Sequence, residues 1–273
     1  TVVSKNTDVD RYEELEKTDG VEYVIPGSGN IRLSMPYDNY FQTMNYSATI
    51  SGTMSDIDKL GKSDLLYGRL PENKNEIVVD KMIIDKMVKN DEMVKESGYG
   101  TADKFLDQEI PVSNMHSLTI VGISDMQSPC IYLDRSLFIN ILSNTGAYEE
   151  DGSDTEDMDV MYSGGMDEGQ GFTGTFIDYG LMKKKVELKK GDWPKNDYEV
   201  LVNEKNSDDW KIGKELSKNK INGHKLKVSG YYADSTDSDY MLVNSRMIKY
   251  YVIKKSKNIT ICPSDKTAVM EEL

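Results

Sequence analysis

The densest set of side chains able to do chemistry lies in the run EEDGSDTEDMD. Glu149, Glu150, Asp151, Asp154, Glu156, Asp157 and Asp159 are its carboxylates. Carboxylate oxygens suit hard cations, but the run lacks the alternating acids, central glycine and closing glutamate of a preorganised calcium loop. From Glu149 to Glu168 there are nine acids and no basic residue, among abundant Gly and Ser. Such a composition cannot bury enough apolar surface to offset chain entropy, so the first expectation is a mobile surface loop. A cation held there, or a basic peptide docked on it, are the alternatives. No dedicated metal site and no cofactor are expected.

Other chemistry is mostly excluded. The chain has no G-x-S-x-G elbow, no H-E-x-x-H, no C-x-x-C and no phosphate-binding loop. A G-x-G-x-x-G does occur from Gly169 to Gly174, but an acidic stretch precedes it where a dinucleotide site needs a strand. His116 and His224 each stand two residues before a leucine that opens an apolar strand, and both read as solvent-facing. Cys130 and Cys262 are too few for a disulfide scaffold or a zinc site, and two unpaired thiols are expected rather than a bridge.

The elements that would position any site show an internal pattern. GRLPENKNEIVVD (68–80) and GDWPKNDYEVLVN (191–203) align without a gap. Gly68, Pro71, Asn73 and Glu76 match Gly191, Pro194, Asn196 and Glu199, and Val79 matches Val202. Gly and Pro punctuate a turn, and β-branched residues make the following strand. Asp80 and Asn203 then cap helices, the second expected around 208–216. LTIVGIS and LKVSGYY follow as strands with Gly122 and Gly230 in one place, then CIYL and YMLV, then caps Asp134 and Asn244. The order predicts a duplicated strand-helix-strand-strand-helix unit whose role is architectural. Before it, Asp8 or Asp10 caps a short helix and VEYVIP is a strand. After it, NITICP is a strand and SDKTAVMEEL opens a helix.

Composition bounds the partners. Asp and Glu exceed Lys and Arg by 47 to 33, a net charge of −14, which repels nucleic-acid backbones and anionic lipid. The longest mainly apolar runs, such as LFINIL, are far shorter than a membrane span. The ends at TVVSKN and AVMEEL read as cuts, so an excised piece of a longer protein is expected.

In its order of segments the chain resembles the extracytoplasmic domain of MacB-like and FtsX-like permeases of ABC transporters. The segments are GVEYVIP, a strand ending in SGTM, LYGRLPENKNEIVVDKMIIDKM, LTIVGISD, IYLDRS and, near the end, NITICPSDKTAVMEEL. The resemblance implies an α+β fold in which the chain ends form a porter-like β-α part carrying inserted lobes. The expected boundaries are 1–64 with 255–273 for the membrane-proximal part, 65–142 and 188–254 for the two repeat lobes, and 143–187 for the acidic insert. It implies a non-catalytic domain on the extracellular face of the membrane, of a type found in Gram-positive bacteria. Its partners would be membrane helices of the same chain, a separate cytoplasmic ATPase, and an extracellular peptide, lipoprotein or cell-envelope protein. No binding residue transfers from the family. The alternative is a lipid-anchored or secreted binding protein for a cationic peptide. An enzyme using paired carboxylates is a third, weaker reading.

Overall fold

At each strand-to-helix junction that the sequence marks with Asp or Asn, that side chain takes an orphan N–H of the next turn. Asp80 accepts from Met82 N, Asp134 from Ser136 N, Asn203 from Lys205 N and Asn244 from Arg246 N. Asp8 does the same from Arg11 N. The computed structural model describes residues 2–37, 46–112, 116–145, 175–234 and 240–264.

In chain order the elements begin with β1 (Val2–Lys5), α1 (Val9–Leu15), β2 (Val21–Pro26), β3 (Asn30–Tyr37) and β4 (Tyr46–Asp56). There follow β5 (Leu65–Gly68), β6 (Glu76–Asp80), α2 (Lys81–Asn90), α3 (Glu92–Glu96), β7 (Glu109–Ile110), β8 (Leu118–Ser124), β9 (Cys130–Leu133) and α4 (Phe138–Thr145). The next are β10 (Thr175–Asp178), α5 (Tyr179–Met182), β11 (Glu187–Gly191), β12 (Glu199–Asn203) and β13 (Glu215–Ile221). Last come β14 (His224–Ala233), β15 (Tyr240–Val243), α6 (Ser245–Ser256) and β16 (Asn258–Pro263). The fold class is α+β.

The chain divides into two units. Gly29–Ala147 holds a seven-stranded sheet in the order β3-β4-β9-β6-β8-β5, with β7 also on β8. Its core is built from Ile77, Val78 and Val79 of β6, all without exposure, and from Ile83, Ile84 and Met87 on the inner face of α2. These helical residues recur at the spacing that puts one stripe inside. A Cβ at Gly52 would come 2.5 Å from Ile83 Cδ1, so this glycine lets α2 lie close on β4.

Thr1–Ser28 and Tyr148–Leu273 form the other unit. It holds a six-stranded sheet, β10-β15-β12-β14-β11 with β13 on β14, and a three-stranded one, β1-β16-β2. Helix α6 buries Met247, Ile248, Val252 and Ile253 and packs on β2 and β10. It meets α1 through Arg246 to Glu13 (2.5 Å) and Lys249 to Glu16 (2.7 Å).

Three expectations from the sequence change here. Residue 64 does not end a part: β3 and β4 belong to the sheet of β6, because β4 runs parallel to β9 from Thr53↔Cys130 to Asp56↔Leu133. The stretch 188–254 is not a lobe separate from the chain ends, which fall in the same unit. And 175–187, expected inside a mobile insert, contains β10, paired with β15, and α5. The helix expected around 208–216 is also replaced. Gly213 takes φ +84°, outside helical space, and Glu215–Ile221 pairs with β14 as β13. The helix expected after Ser264 lies outside the described residues.

Candidate functional site

Glu149, Glu150, Asp151, Asp154, Glu156, Asp157 and Asp159 lie outside the described residues, as does the glycine run 169–174. Among the described residues no group of His, Cys, Asp and Glu is placed to hold a metal ion. His116 is exposed just before β8, and His224, at the start of β14, stacks on Tyr198 at 4.2 Å. Cys130 is a half-buried thiol of one unit and Cys262 a buried thiol of the other.

The repeat residues are brought together in two turns. In the first, Glu76 is only 8% exposed. Its carboxylate takes two bonds from Arg69 (2.7 and 2.8 Å), one from Glu72 N (2.7 Å) and one from Asn73 Nδ2 (3.0 Å). The glutamate of the motif therefore closes the turn that feeds its own strand. In the second turn Glu199 accepts from Lys195 N at 2.8 Å, the same backbone bond, but Asp192 stands where the first turn has Arg69. The paired guanidinium, then the Glu72 N–H, hold the Glu76 carboxyl well below the usual carboxylate range, against the opposing effect of burial.

The sign for stability follows. A carboxyl whose pKa is depressed on folding adds stability above its unfolded pKa and loses it as pH falls through the depressed value. Glu76→Gln is expected to cost about 2 kcal/mol at neutral pH, from one charged pair and the N–H groups left facing an amide. It also removes that part of the acid sensitivity. Glu199→Gln, with fewer partners, is expected to cost about 1 kcal/mol or less. Urea midpoints of both variants, at neutral pH and below the usual carboxylate range, check this.

A second cluster was not legible beyond its cap. Asp80 has no exposure, and its two oxygens serve different segments. Oδ1 accepts from Met82 N at 3.0 Å, capping α2. Oδ2 accepts from Ser124 Oγ and Met126 N, both at 2.9 Å, and so ties the end of β8 and the loop after it to β6. The only sequence signal was an Asx at a strand end. The partners come from a distant strand paired parallel to β6, with Asp80 opposite Ser124.

The two large sheets share a strand order and register. β6–β8 and β12–β14 are parallel pairs, each with one irregularity, between Ile77 and Val78 and between Val200 and Leu201. β5 and β11 close the same edge antiparallel, and β9 and β15 lie on the other side, antiparallel to β6 and β12. β4 and β10 add parallel to these. Even single bonds recur, Arg69 N to Val121 O (2.9 Å) and Asp192 N to Ser229 O (3.1 Å).

Among the described residues no helix is long and apolar enough to cross a membrane. No family model matches the chain, and no curated protein does. Among solved structures, it is similar to the extracellular domain of the noncanonic ABC-type transporter YknZ from Gram-positive bacteria. The identity is 14%, over 50% of this chain and 67% of that one, with a TM-score of 0.27. It is similar also to the periplasmic region of MacB from Actinobacillus actinomycetemcomitans, at 15% identity over 50% of this chain and 59% of that one, with a TM-score of 0.25.

Proposed function

We propose that this chain is the non-catalytic extracellular domain of an ABC transporter permease. It would pass motion driven by a cytoplasmic ATPase to an extracellular peptide, lipoprotein or cell-envelope protein. The observation that carries the reading is the pairing of β1 with β16. The strands run antiparallel from Val2↔Ile261 to Lys5↔Asn258, so the chain enters and leaves this sheet at one place. A domain held between two membrane helices requires that arrangement. It also lets a displacement of either helix act on one three-stranded sheet. The segment order of the sequence, quoted above, supports the same reading. The matched register of the two larger sheets supports their origin in one duplicated unit.

The test uses the full-length protein in intact cells. With Cys130 replaced by Ser, a cysteine at the exposed position Ser63 is expected to react with a membrane-impermeant maleimide before lysis. A detergent extract is expected to carry a Walker-motif ATPase with the protein. Labelling only after lysis overturns the proposal and both extracellular readings with it. Labelling before lysis with no ATPase recovered also overturns it, and favours the secreted or lipid-anchored peptide binder.

A further inference from the structure

Among the described residues most large apolar side chains of the Gly29–Ala147 unit are buried, but five are exposed: Met93 of α3, at 36%, and four others. Leu66 is 40% exposed, Tyr67 41%, Met82 52% and Met126 46%. They come from three separate segments, and the bonds already described hold them together. Met82 N and Met126 N both donate to the one carboxylate of Asp80. Asp125 N donates to Asp64 O at 3.2 Å, joining the Met126 loop to the start of β5. Lys81, next to Met82, is close enough to Tyr67 and Asp125 for both to act on its charge.

The second sheet supplies an internal control. By strand register Leu66 corresponds to Lys189, Tyr67 to Lys190, Met82 to Lys205 and Met126 to Asp234. Leu66 and Lys189 even sit at the same irregularity, each skipped in the pairing of its edge strand. The fold thus tolerates a charge at every one of these positions. Lysine on an edge strand is an ordinary guard against pairing with other chains, and β5 lacks that guard where β11 has it. Exposed methionine beside an aromatic and a leucine is a surface that adapts to other apolar side chains.

Charge selects the occupant. Around the patch Asp64 and Asp125 stand with Lys62 and Lys86, and Lys81 is paired with Asp85, while residues 29–147 as a whole carry sixteen acids against eleven bases. A second copy of this chain, at −14, would bring carboxylates against carboxylates, and anionic lipid would be repelled in the same way. We infer that Leu66, Tyr67, Met82 and Met126 form a docking surface for a basic amphipathic polypeptide segment, its apolar side chains on the methionines and its cations toward Asp64 and Asp125. This deepens the proposed function by naming the chemistry of the extracellular partner. It rests on that reading only for where the peptide is met.

The test measures anisotropy of a labelled amphipathic leucine–lysine peptide titrated with the protein, against a leucine–glutamate peptide of the same pattern. The lysine peptide is expected to bind at least tenfold tighter. Leu66→Ser, Tyr67→Ser and Met82→Ser together, which remove apolar surface without adding charge, are expected to weaken it at least tenfold. Asp64→Asn with Asp125→Asn is expected to weaken it at low salt only. All positions are exposed or half-exposed, and an unchanged thermal midpoint shows that the variants are folded. Equal binding of both peptides overturns the inference. So does binding untouched by the serine variant but lost when the acids at 149–159 are neutralised. Self-association of the protein that the serine variant abolishes also overturns it, making a second copy the occupant. Peptide binding at this surface by a protein without an ATPase partner leaves the surface standing while the permease reading falls. Loss of peptide binding with the ATPase retained does the opposite.

Discussion

Gly68→Ala is expected to destabilise the Gly29–Ala147 unit by about 4 kcal/mol, near the upper end for a single substitution. Two costs coincide there. Gly68 takes φ +77°, which costs an L-residue about 1–2 kcal/mol. A Cβ would also lie 2.2 Å from Val121 O and 3.0 Å from Gly122 Cα. Both are backbone atoms, so no side chain can turn aside, and β5 would have to leave β8. Gly98→Ala separates the two costs. Its φ is +96° with nothing near the added Cβ, and the loss expected is about 1 kcal/mol.

Gly191→Ala is expected to repeat the effect in the other unit. There φ is +81° and the Cβ would meet Ser229 O at 2.3 Å. Trp193 and Trp210, the chain's two tryptophans, both lie in that other unit. Tryptophan fluorescence in urea should therefore register Gly191→Ala, and circular dichroism both variants. A Gly68→Ala protein as stable as Gly98→Ala would show that the close approach of β5 and β8 carries no weight.

Asp80→Ala is expected to cost about 3 kcal/mol, since it strands three donors around a fully buried site. Asp80→Asn is the sharper experiment. Its oxygen still caps α2, and the Ser124 hydroxyl can turn to accept from the new amide. Met126 N–H cannot turn, and an orphaned buried donor costs about 1–2 kcal/mol. Exchange of the Met126 amide with solvent should then rise roughly tenfold or more, at about 1.4 kcal/mol per decade, while that of Met82 changes little. Equal protection of Met126 in both proteins would remove Asp80 Oδ2 from the account.

The second sheet shows why Asp is needed at one junction and Asn suffices at the other. Opposite Asn203 stands Tyr232 rather than Ser124, and its hydroxyl donates to Tyr240 O at 2.7 Å. No donor from that side chain turns toward Asn203, so an uncharged cap with one backbone bond, from Lys205 N at 3.1 Å, is enough there. A carboxylate is kept where its second oxygen has donors to receive.

Much of this was legible because it is local. The G-x-x-P-x-N-x-x-E turn closes within itself, Glu72 N and Lys195 N reaching glutamates four residues on. Caps act within two or three residues, so Asp80, Asp134, Asn203 and Asn244 could be read directly, and Asp8 as one of two candidates with Asp10. The stripe of Ile83, Ile84 and Met87 has helical period. Gly122 and Gly230 were visible as interruptions of strands, though not as the places where Arg69 O and Lys190 O come 2.5 Å from the absent Cβ. The helix expected around 208–216 failed for the opposite reason. Ile212 and Leu216 stand four residues apart, as on one helical face, but Gly213 N donates to Val228 O and Lys214 O accepts from Val228 N, far along the chain.

The sequence by itself determined the turns, the caps, the apolar strands and the acidic charge that restricts partners, since each depends on neighbours along the chain. Only the tertiary structure decided that β4 and β10 complete the two sheets, that 175–187 is structured, and that Asp80 binds a second strand. It alone decided, too, that Leu66, Tyr67, Met82 and Met126 stay exposed. Parallel pairing joins residues that no local period connects, and exposure is a property of what remains uncovered after every strand has found its partner.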